Sequence, residues 1–155
     1  MKISIIAVGK QMPSWVTTGY QDYVGRLPPE FKLQLTEITA LKRHKGADLK
    51  RLIEREGAHM LTAIPPGSYT LALTERGQLW NTQQFAERLR HWQTEGQHLC
   101  LLIGGPEGLA PACLNQAHAQ WSLSPLTFPH PLVRVLLAEQ LYRAISILQQ
   151  HPYHR

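Results

Sequence analysis

Hydrophobic residues along the chain alternate between short runs of strand length and longer segments with the helical period. The runs predict five strands at 2–9, 32–39, 69–73, 98–104 and 121–124. The periodic segments predict one helix that begins near Ser14 and four more at 47–64, 82–96, 112–117 and 131–149. Because strands and helices alternate and runs such as 99–103 are apolar throughout, we expect an α/β domain. Its sheet should be largely parallel, with the 32–39 strand near an edge.

Three helix starts carry local signals. Ser14, after Pro13, is the expected cap of the first helix, and Asn81 with Gln84 three residues later forms a capping-box pattern. Before the last helix, Pro131 suits the first helical position and disfavours helical geometry at His130, so His130 is the expected N-cap.

The last helix is apolar around most of its circumference, as expected when a helix is buried on more than one side. In a single domain of 155 residues, one side can face the sheet and the other a second subunit, which predicts a homodimer. Glu139 and Arg143 stand four apart, in the order that favours an ion pair. Arg134, in the first turn, opposes the helix dipole and indicates an anionic partner.

Composition narrows the class of protein. The formal net charge of +5 favours association with polyanions such as nucleic acid. Cys100 and Cys113 suggest no disulfide framework, and no apolar run has the length of a signal peptide core or a membrane span. We therefore expect one domain over residues 1–155, in the reducing cytoplasm and not in a membrane. A zinc site is disfavoured because the cysteines lack the usual close spacing, and no metal is expected.

Two segments are candidates for ligand binding. The glycine-rich turn 104–108 follows the fourth strand, at the position where parallel sheets bind ligands, although such a turn is also common without a ligand. It matches neither the dinucleotide fingerprint nor the P-loop. The loop 123–128 is stiffened by Pro125 and by Pro129 after it, and Leu126 and Phe128 would give apolar walls suited to an adenine-like ring.

Two further segments are basic or aromatic. The tail HPYHR, 151–155, carries groups that stack on bases and grip phosphate, although chain ends also fray. The segment 41–51, LKRHKGADLKR, is either a solvated helix start or a contact for an RNA backbone.

Taken together, these segments resemble one known family. LLIGGPEGL, WSLSPLTFPHPLVRVLLAEQLYRA and HPYHR, with AVGKQMPSWV near the start, closely resemble the RlmH family of ribosomal RNA methyltransferases, over essentially the whole chain. The resemblance implies the SPOUT α/β fold with a C-terminal trefoil knot, and a homodimer with the cofactor site at its interface. It also implies methyl transfer from S-adenosylmethionine to N3 of a pseudouridine in large-subunit (23S) ribosomal RNA of assembled ribosomes.

The resemblance also assigns candidate residues. The implied cofactor contacts are Leu73, Gly104, Leu123, Ser124, Pro125, Leu126, Thr127 and Phe128. Many relatives carry an acidic residue where this chain has Thr74. Because N3 must lose a proton before it attacks, a base or a stabilising donor is required. The candidates for proton handling are His130, Glu139, Tyr153 and His154, and those for charge stabilisation are Arg143 and Arg155. We expect the tail to fold over the partner subunit's cofactor pocket.

Two other classes of protein remain. A non-catalytic RNA-binding or ribosome-associated factor would share the basic charge, but it would not need a glycine turn beside a stiffened loop. A small α/β hydrolase would need a matched nucleophile and base, and the chain has no G-x-S-x-G motif.

Overall fold

Five strands and five helices alternate in the computed structural model, which describes residues 1–155. The strands are β1 (Lys2–Val8), β2 (Lys32–Ile38), β3 (Tyr69–Leu79), β4 (Leu99–Ile103) and β5 (Ala119–Ser122). The helices are α1 (Ser14–Gly25), α2 (Leu49–Ala63), α3 (Thr82–Thr94), α4 (Pro111–Gln116) and α5 (His130–Leu148). A 3-10 helix, Pro152–His154, lies at the end of the chain.

The strands form one parallel sheet in the order β2-β1-β4-β3-β5. The prediction of an α/β fold with a parallel sheet is confirmed, and β2 lies at an edge as expected. Since all strands run in the same direction, the segments that follow them emerge at one edge of the sheet. Those segments include the glycine turn after β4 and the loop after β5, so the candidate ligand-binding segments lie at the same edge.

Helices cover both faces of the sheet. Side chains of β1 alternate between two hydrophobic clusters, with Ile3 and Ile5 in the larger and Ile6 and Val8 in the smaller. The larger cluster lies under α3 and α5, and α5 packs against both α1 and α3. The smaller cluster lies under α2 and α4. This arrangement explains why the central strands are apolar on both faces.

Two strands differ from their predicted bounds by more than one residue at an end. β3 continues past Leu73 to Leu79, with a bulge after Leu73 that the hydrophobic pattern did not reveal. β5 begins at Ala119, because Ala119 and Gln120 pair with β3, and it ends at Ser122. β5 therefore lies two residues earlier than the strand predicted at 121–124, because its pairing with β3 begins at Ala119.

Two of the three predicted helix caps are wrong. Pro13 is the N-cap of α1, and the Ser14 side chain makes no cap hydrogen bond. Pro129 is the N-cap of α5, because its carbonyl accepts from the amides of Leu132 (3.0 Å) and Val133 (3.2 Å), so His130 is already helical. The Asn81 capping box is confirmed, with both of its hydrogen bonds at 2.8 Å.

Cys100 and Cys113 are both buried and free. Burial raises the pKa of the Cys100 thiol to about 12, so this thiol is protonated at neutral pH. No group of three or more His, Cys, Asp or Glu side chains is arranged to hold a metal ion. None of the helices combines the length and the apolar character needed to cross a lipid bilayer.

Candidate active site

A cleft of about 900 Å³ opens at the carboxyl edge of the sheet. Four segments line it: the bulge of β3, the glycine turn after β4, the loop after β5 and the first turn of α5. These segments are far apart in sequence and converge because their strands are parallel. A volume of this size suits a nucleoside-sized ligand.

The glycine turn forms one wall of the cleft because its backbone doubles back closely on itself. The amide of Gly108 donates to the carbonyl of Gly105 at 3.0 Å. A Cβ atom on Gly104 would overlap the backbone of Gly108, so a larger residue cannot fit without moving the turn. Glycine is therefore required at position 104 by the turn itself, and the close approach of a ligand to this backbone stays a prediction.

The bulge of β3 forms a second wall that sequence patterns did not predict. Leu73 and Gln78 both pair with Trp121, so residues 74–77 loop out, and Thr74, Glu75 and Arg76 line the cleft. A Cβ on Gly77 would lie 2.6 Å from the backbone of Trp121. A glycine inside a strand pattern often marks a bulge, and Gly77 was the signal available in the sequence.

The loop after β5 is held by its own serines. The Ser122 hydroxyl donates to the carbonyl of Ser124 at 3.0 Å, and the amide of Leu126 donates to the Ser124 hydroxyl at 2.9 Å. The Leu126 side chain is 70% exposed, so it offers apolar surface at the mouth of the cleft. Seven of the eight residues implied as cofactor contacts line the cleft: Leu73, Gly104, Leu123, Ser124, Leu126, Thr127 and Phe128. Pro125 is exposed and lies outside the lining.

His130 lines the cleft at the first turn of α5. Its Nδ1 atom is buried and has no hydrogen-bond partner. Burial lowers the pKa of His130, and the nearby charges of Arg134 and Arg43 act in the same direction, while Glu107 opposes them. The imidazole is therefore neutral at pH 7 and can accept a proton.

Arg134 lies under His130 and is only 2% exposed. It forms an ion pair with Glu37 at the end of β2 and donates to the carbonyl of Gly9 at 2.8 Å. The interpretation of Arg134 as a sign of an external anion is thus corrected, because its anionic partner is Glu37 of the same chain. This pair fixes the start of α5 to the ends of β1 and β2.

A second polar cluster, the tail cluster, consists of Glu139, Arg143 and Tyr153. Arg143 pairs with Glu139 at 2.6 Å, and the Tyr153 hydroxyl donates to the same carboxylate at 3.2 Å. The guanidinium of Arg143 lies 5.0 Å from the centre of the Tyr153 ring. Burial raises the pKa of Tyr153 to about 12, with Tyr23 and Glu139 acting in the same direction. The phenol is therefore a hydrogen-bond donor at neutral pH.

The tail is folded against α5 rather than frayed. The amide of His151 donates to the carbonyl of Ser146 at 2.8 Å, and the Tyr153 ring packs on Tyr142 with ring centres 4.5 Å apart. His154 has a buried Nδ1 without a partner, whereas Arg155 is exposed. Of the six predicted catalytic residues, His130 alone lines the cleft of its own chain. The structure thus separates the cofactor candidates from most of the catalytic candidates.

Residues 1–154 match a family described as predicted SPOUT methyltransferase. A relative from Thioalkalivibrio sulfidiphilus (strain HL-EbGR7), named Ribosomal RNA large subunit methyltransferase H, is 56% identical over 155 residues. The match covers 100% of this chain and 99% of the relative. A solved structure of a probable methylase family protein from Haemophilus influenzae Rd KW20 is similar with a TM-score of 0.59 and 11% identity. It covers 99% of this chain and 70% of that one, and at this identity it supports the fold alone.

Proposed function

The chain belongs to the SPOUT methyltransferase family, and from this premise we propose that it transfers a methyl group from S-adenosylmethionine to N3 of a pseudouridine in large-subunit ribosomal RNA. The observation that carries the proposal is the cleft, in which the glycine turn meets the loop after β5. The name of the relative that is 56% identical supports ribosomal RNA as the substrate. We propose that the reaction takes place on assembled ribosomes in the cytoplasm.

The cleft has the shape and chemistry to hold this cofactor. Gly104 lets the glycine turn fold back on the backbone of Gly108, which sets the shape of this wall of the cleft. Leu126 and Phe128 offer apolar surface to an adenine ring, and the polar groups of Ser124 and Thr127 lie beside it. When bound, S-adenosylmethionine supplies an electrophilic methyl group on its sulfonium.

The remaining chemical task falls to side chains that remove or stabilise charge on the RNA base. N3 of a pseudouridine carries a proton, which a base must accept, while donors stabilise the negative charge on the ring. We assign the role of proton acceptor to one of His130, Glu139 and His154. Tyr153, whose pKa is raised to about 12, and the guanidiniums of Arg143 and Arg155 act as donors.

We further propose that the working unit is a homodimer in which the tail of one subunit lies over the cleft of the other. The tail cluster does not line the cleft of its own chain, so a second chain is the simplest source of these groups. Leu132, Val135 and Leu136 on α5 are only partly buried, which leaves apolar surface for a partner. The C-terminal trefoil knot of the family belongs to the same proposal.

The function is tested by two measurements on the full-length protein. Calorimetry should detect binding of S-adenosylmethionine, and labelled methyl groups should appear on large-subunit RNA when intact ribosomes are supplied. Transfer to a different RNA would overturn the substrate, and absence of cofactor binding would favour the non-catalytic RNA-binding alternative. A chain that ends before His151 should bind the cofactor but lose methyl transfer. Transfer at the normal rate by this truncated chain would contradict the role of the tail.

A further inference from the structure

Residues 41–47 form a loop, here named the anchored loop, that follows β2 and reaches the glycine turn of the cleft. The loop is joined to the glycine turn by Arg43, whose guanidinium lies between two carboxylates. Nη1 and Nη2 donate to Glu56 at 2.6 and 2.8 Å, and Nη2 also donates to Glu107 at 2.8 Å. Glu107 lines the cleft, so one side chain joins the loop to the wall of the proposed active site.

The anchor holds the backbone of the loop as well as its side chains. Glu56 is only 3% exposed, and it also accepts from the amide of Leu41 at 2.8 Å. Nη1 of Arg43 donates to the carbonyl of Leu41 at 2.7 Å. A buried carboxylate with a bidentate arginine partner is a strong and directional contact. The loop is therefore preorganised beside the cleft, which lowers the entropy cost of binding a partner there.

The basic residues of the anchored loop are of two kinds, one paired with carboxylates and the others unpaired. Arg43 is neutralised by Glu56 and Glu107, so it is not free to contact phosphate. Lys42, His44 and Lys45 are exposed on the same loop, and neither lysine takes part in an ion pair. A rigid loop that presents unpaired cations is suited to a polyanion of fixed shape.

We propose that the anchored loop is a docking surface for the phosphate backbone of the RNA substrate, with Lys42 and Lys45 as the contacts and Arg43 as their positioning residue. The proposal rests on the proposed function, since it assigns a binding surface to the same site. RNA is favoured over an acidic protein because the surface borders the cleft in which an RNA base would react. Phosphate contacts by lysine fix the position of a nucleic acid without reading its sequence.

The test compares two double variants that remove the same charge. Lys42→Gln with Lys45→Gln should weaken binding to protein-free large-subunit ribosomal RNA about tenfold at moderate salt. It should also reduce the slope of log affinity against log salt by about 1 for each lysine. Lys2→Gln with Lys32→Gln is the matched control, because these exposed lysines lie at the opposite, amino edge of the sheet. The control should keep the affinity and the activity of the unmodified protein.

Several outcomes overturn the assignment. Equal losses in both double variants would mean that net charge matters and the loop does not. If Lys42→Gln with Lys45→Gln bound protein-free RNA normally but bound ribosomes weakly, the partner of the loop would be a ribosomal protein. The binding constant for S-adenosylmethionine should be unchanged in Lys42→Gln with Lys45→Gln, and a loss there would also contradict a pure RNA contact. If the unmodified protein methylates no ribosomal RNA, the proposed function fails, and that result is distinct from failure of the loop assignment.

The anchor is tested separately with Arg43→Lys. Lysine keeps the positive charge but cannot bridge both carboxylates in the bidentate geometry. RNA affinity should fall by a factor similar to that of the double lysine variant, although the net charge is unchanged. RNA binding as in the unmodified protein, in a variant whose circular dichroism spectrum is also unchanged, would remove Arg43 from the proposal.

Discussion

The cleft and the tail cluster are both built from charged and aromatic side chains, but they are held in different ways. Around the cleft, ion pairs join residues far apart in the chain: Arg43 with Glu107 and Arg134 with Glu37, at sequence separations of 64 and 97. In the tail cluster, Glu139 pairs with Arg143 one helical turn away. The cleft is thus fixed by the whole fold. The tail cluster is held mainly by contacts between α5 and the last residues of the chain.

The largest change in stability is expected for the ion pair that joins the start of α5 to the end of β2. Glu37→Ala leaves the buried guanidinium of Arg134 with only backbone acceptors, and an uncompensated buried charge costs about 3 kcal/mol of unfolding free energy. Asp22→Ala is the control, since its pair with Arg26 is exposed and should be worth less than about 0.5 kcal/mol. Chemical denaturation measures both. Similar losses in the two variants would contradict the special role of the Arg134 pair.

The glycine turn gives the second effect. Gly104→Ala places a methyl group against the backbone of Gly108, which should cost about 2 kcal/mol of stability and abolish detectable cofactor binding. Gly25→Ala, at the end of α1 with open space around it, should leave both quantities unchanged. Thermal unfolding and calorimetry provide the two readouts. Cofactor binding of normal strength in Gly104→Ala would show that this wall does not shape the cofactor site.

The tail cluster should respond in activity rather than in stability. Tyr153→Phe removes the donor to Glu139 but keeps the ring packed on Tyr142, so the unfolding free energy should change by less than about 1 kcal/mol. Methyl transfer should fall about a hundredfold because a stabilising donor is lost, with cofactor affinity unchanged. Tyr69→Phe, at the amino edge of the sheet, is the matched control. A full rate in Tyr153→Phe would remove Tyr153 from the proposed chemistry.

The smallest expected effect is a pH dependence of the unfolding free energy that arises from His130 in the cleft. Because burial and two arginines lower the pKa of His130, the unfolded chain takes up this proton more readily than the folded one. The contribution of His130 to stability is therefore present above pH of about 6.5 and is lost as the pH falls towards the lowered pKa. His130→Asn should show a shallower loss of unfolding free energy between pH of about 7.5 and about 5. Parallel curves for the two proteins would contradict this assignment.

Local patterns in the sequence were sufficient for the sheet, most helix positions and the wall at Gly104. They were not sufficient where pairing between distant segments decides the structure. The bulge after Leu73 depends on how β3 pairs with Trp121, and Arg43 finds its partners 13 and 64 residues away. The sequence predicts His130 as the N-cap because its expected helix boundary, at Pro131, is one residue late. A single-residue error of this kind is common at helix ends.

The resemblance to the RlmH family led to candidates for both cofactor binding and catalysis, and the structure separates most of these two sets within the chain. The loop after β5 and the glycine turn converge on the cleft because they follow parallel strands. Glu139 lies more than two turns along α5 from His130, and its partner Tyr153 comes from the tail. Neither local spacing nor composition determines which subunit would use those groups.

The most direct test of a site shared between two subunits is complementation between two inactive variants. One chain carries Gly104→Ala, and the other ends before His151. If each cleft uses the tail of the partner, the mixed dimer has one intact site, and a random mixture should recover about a quarter of the activity of the unmodified protein. If each chain uses its own tail, the mixture should remain as inactive as the separate variants, and that result would contradict the account.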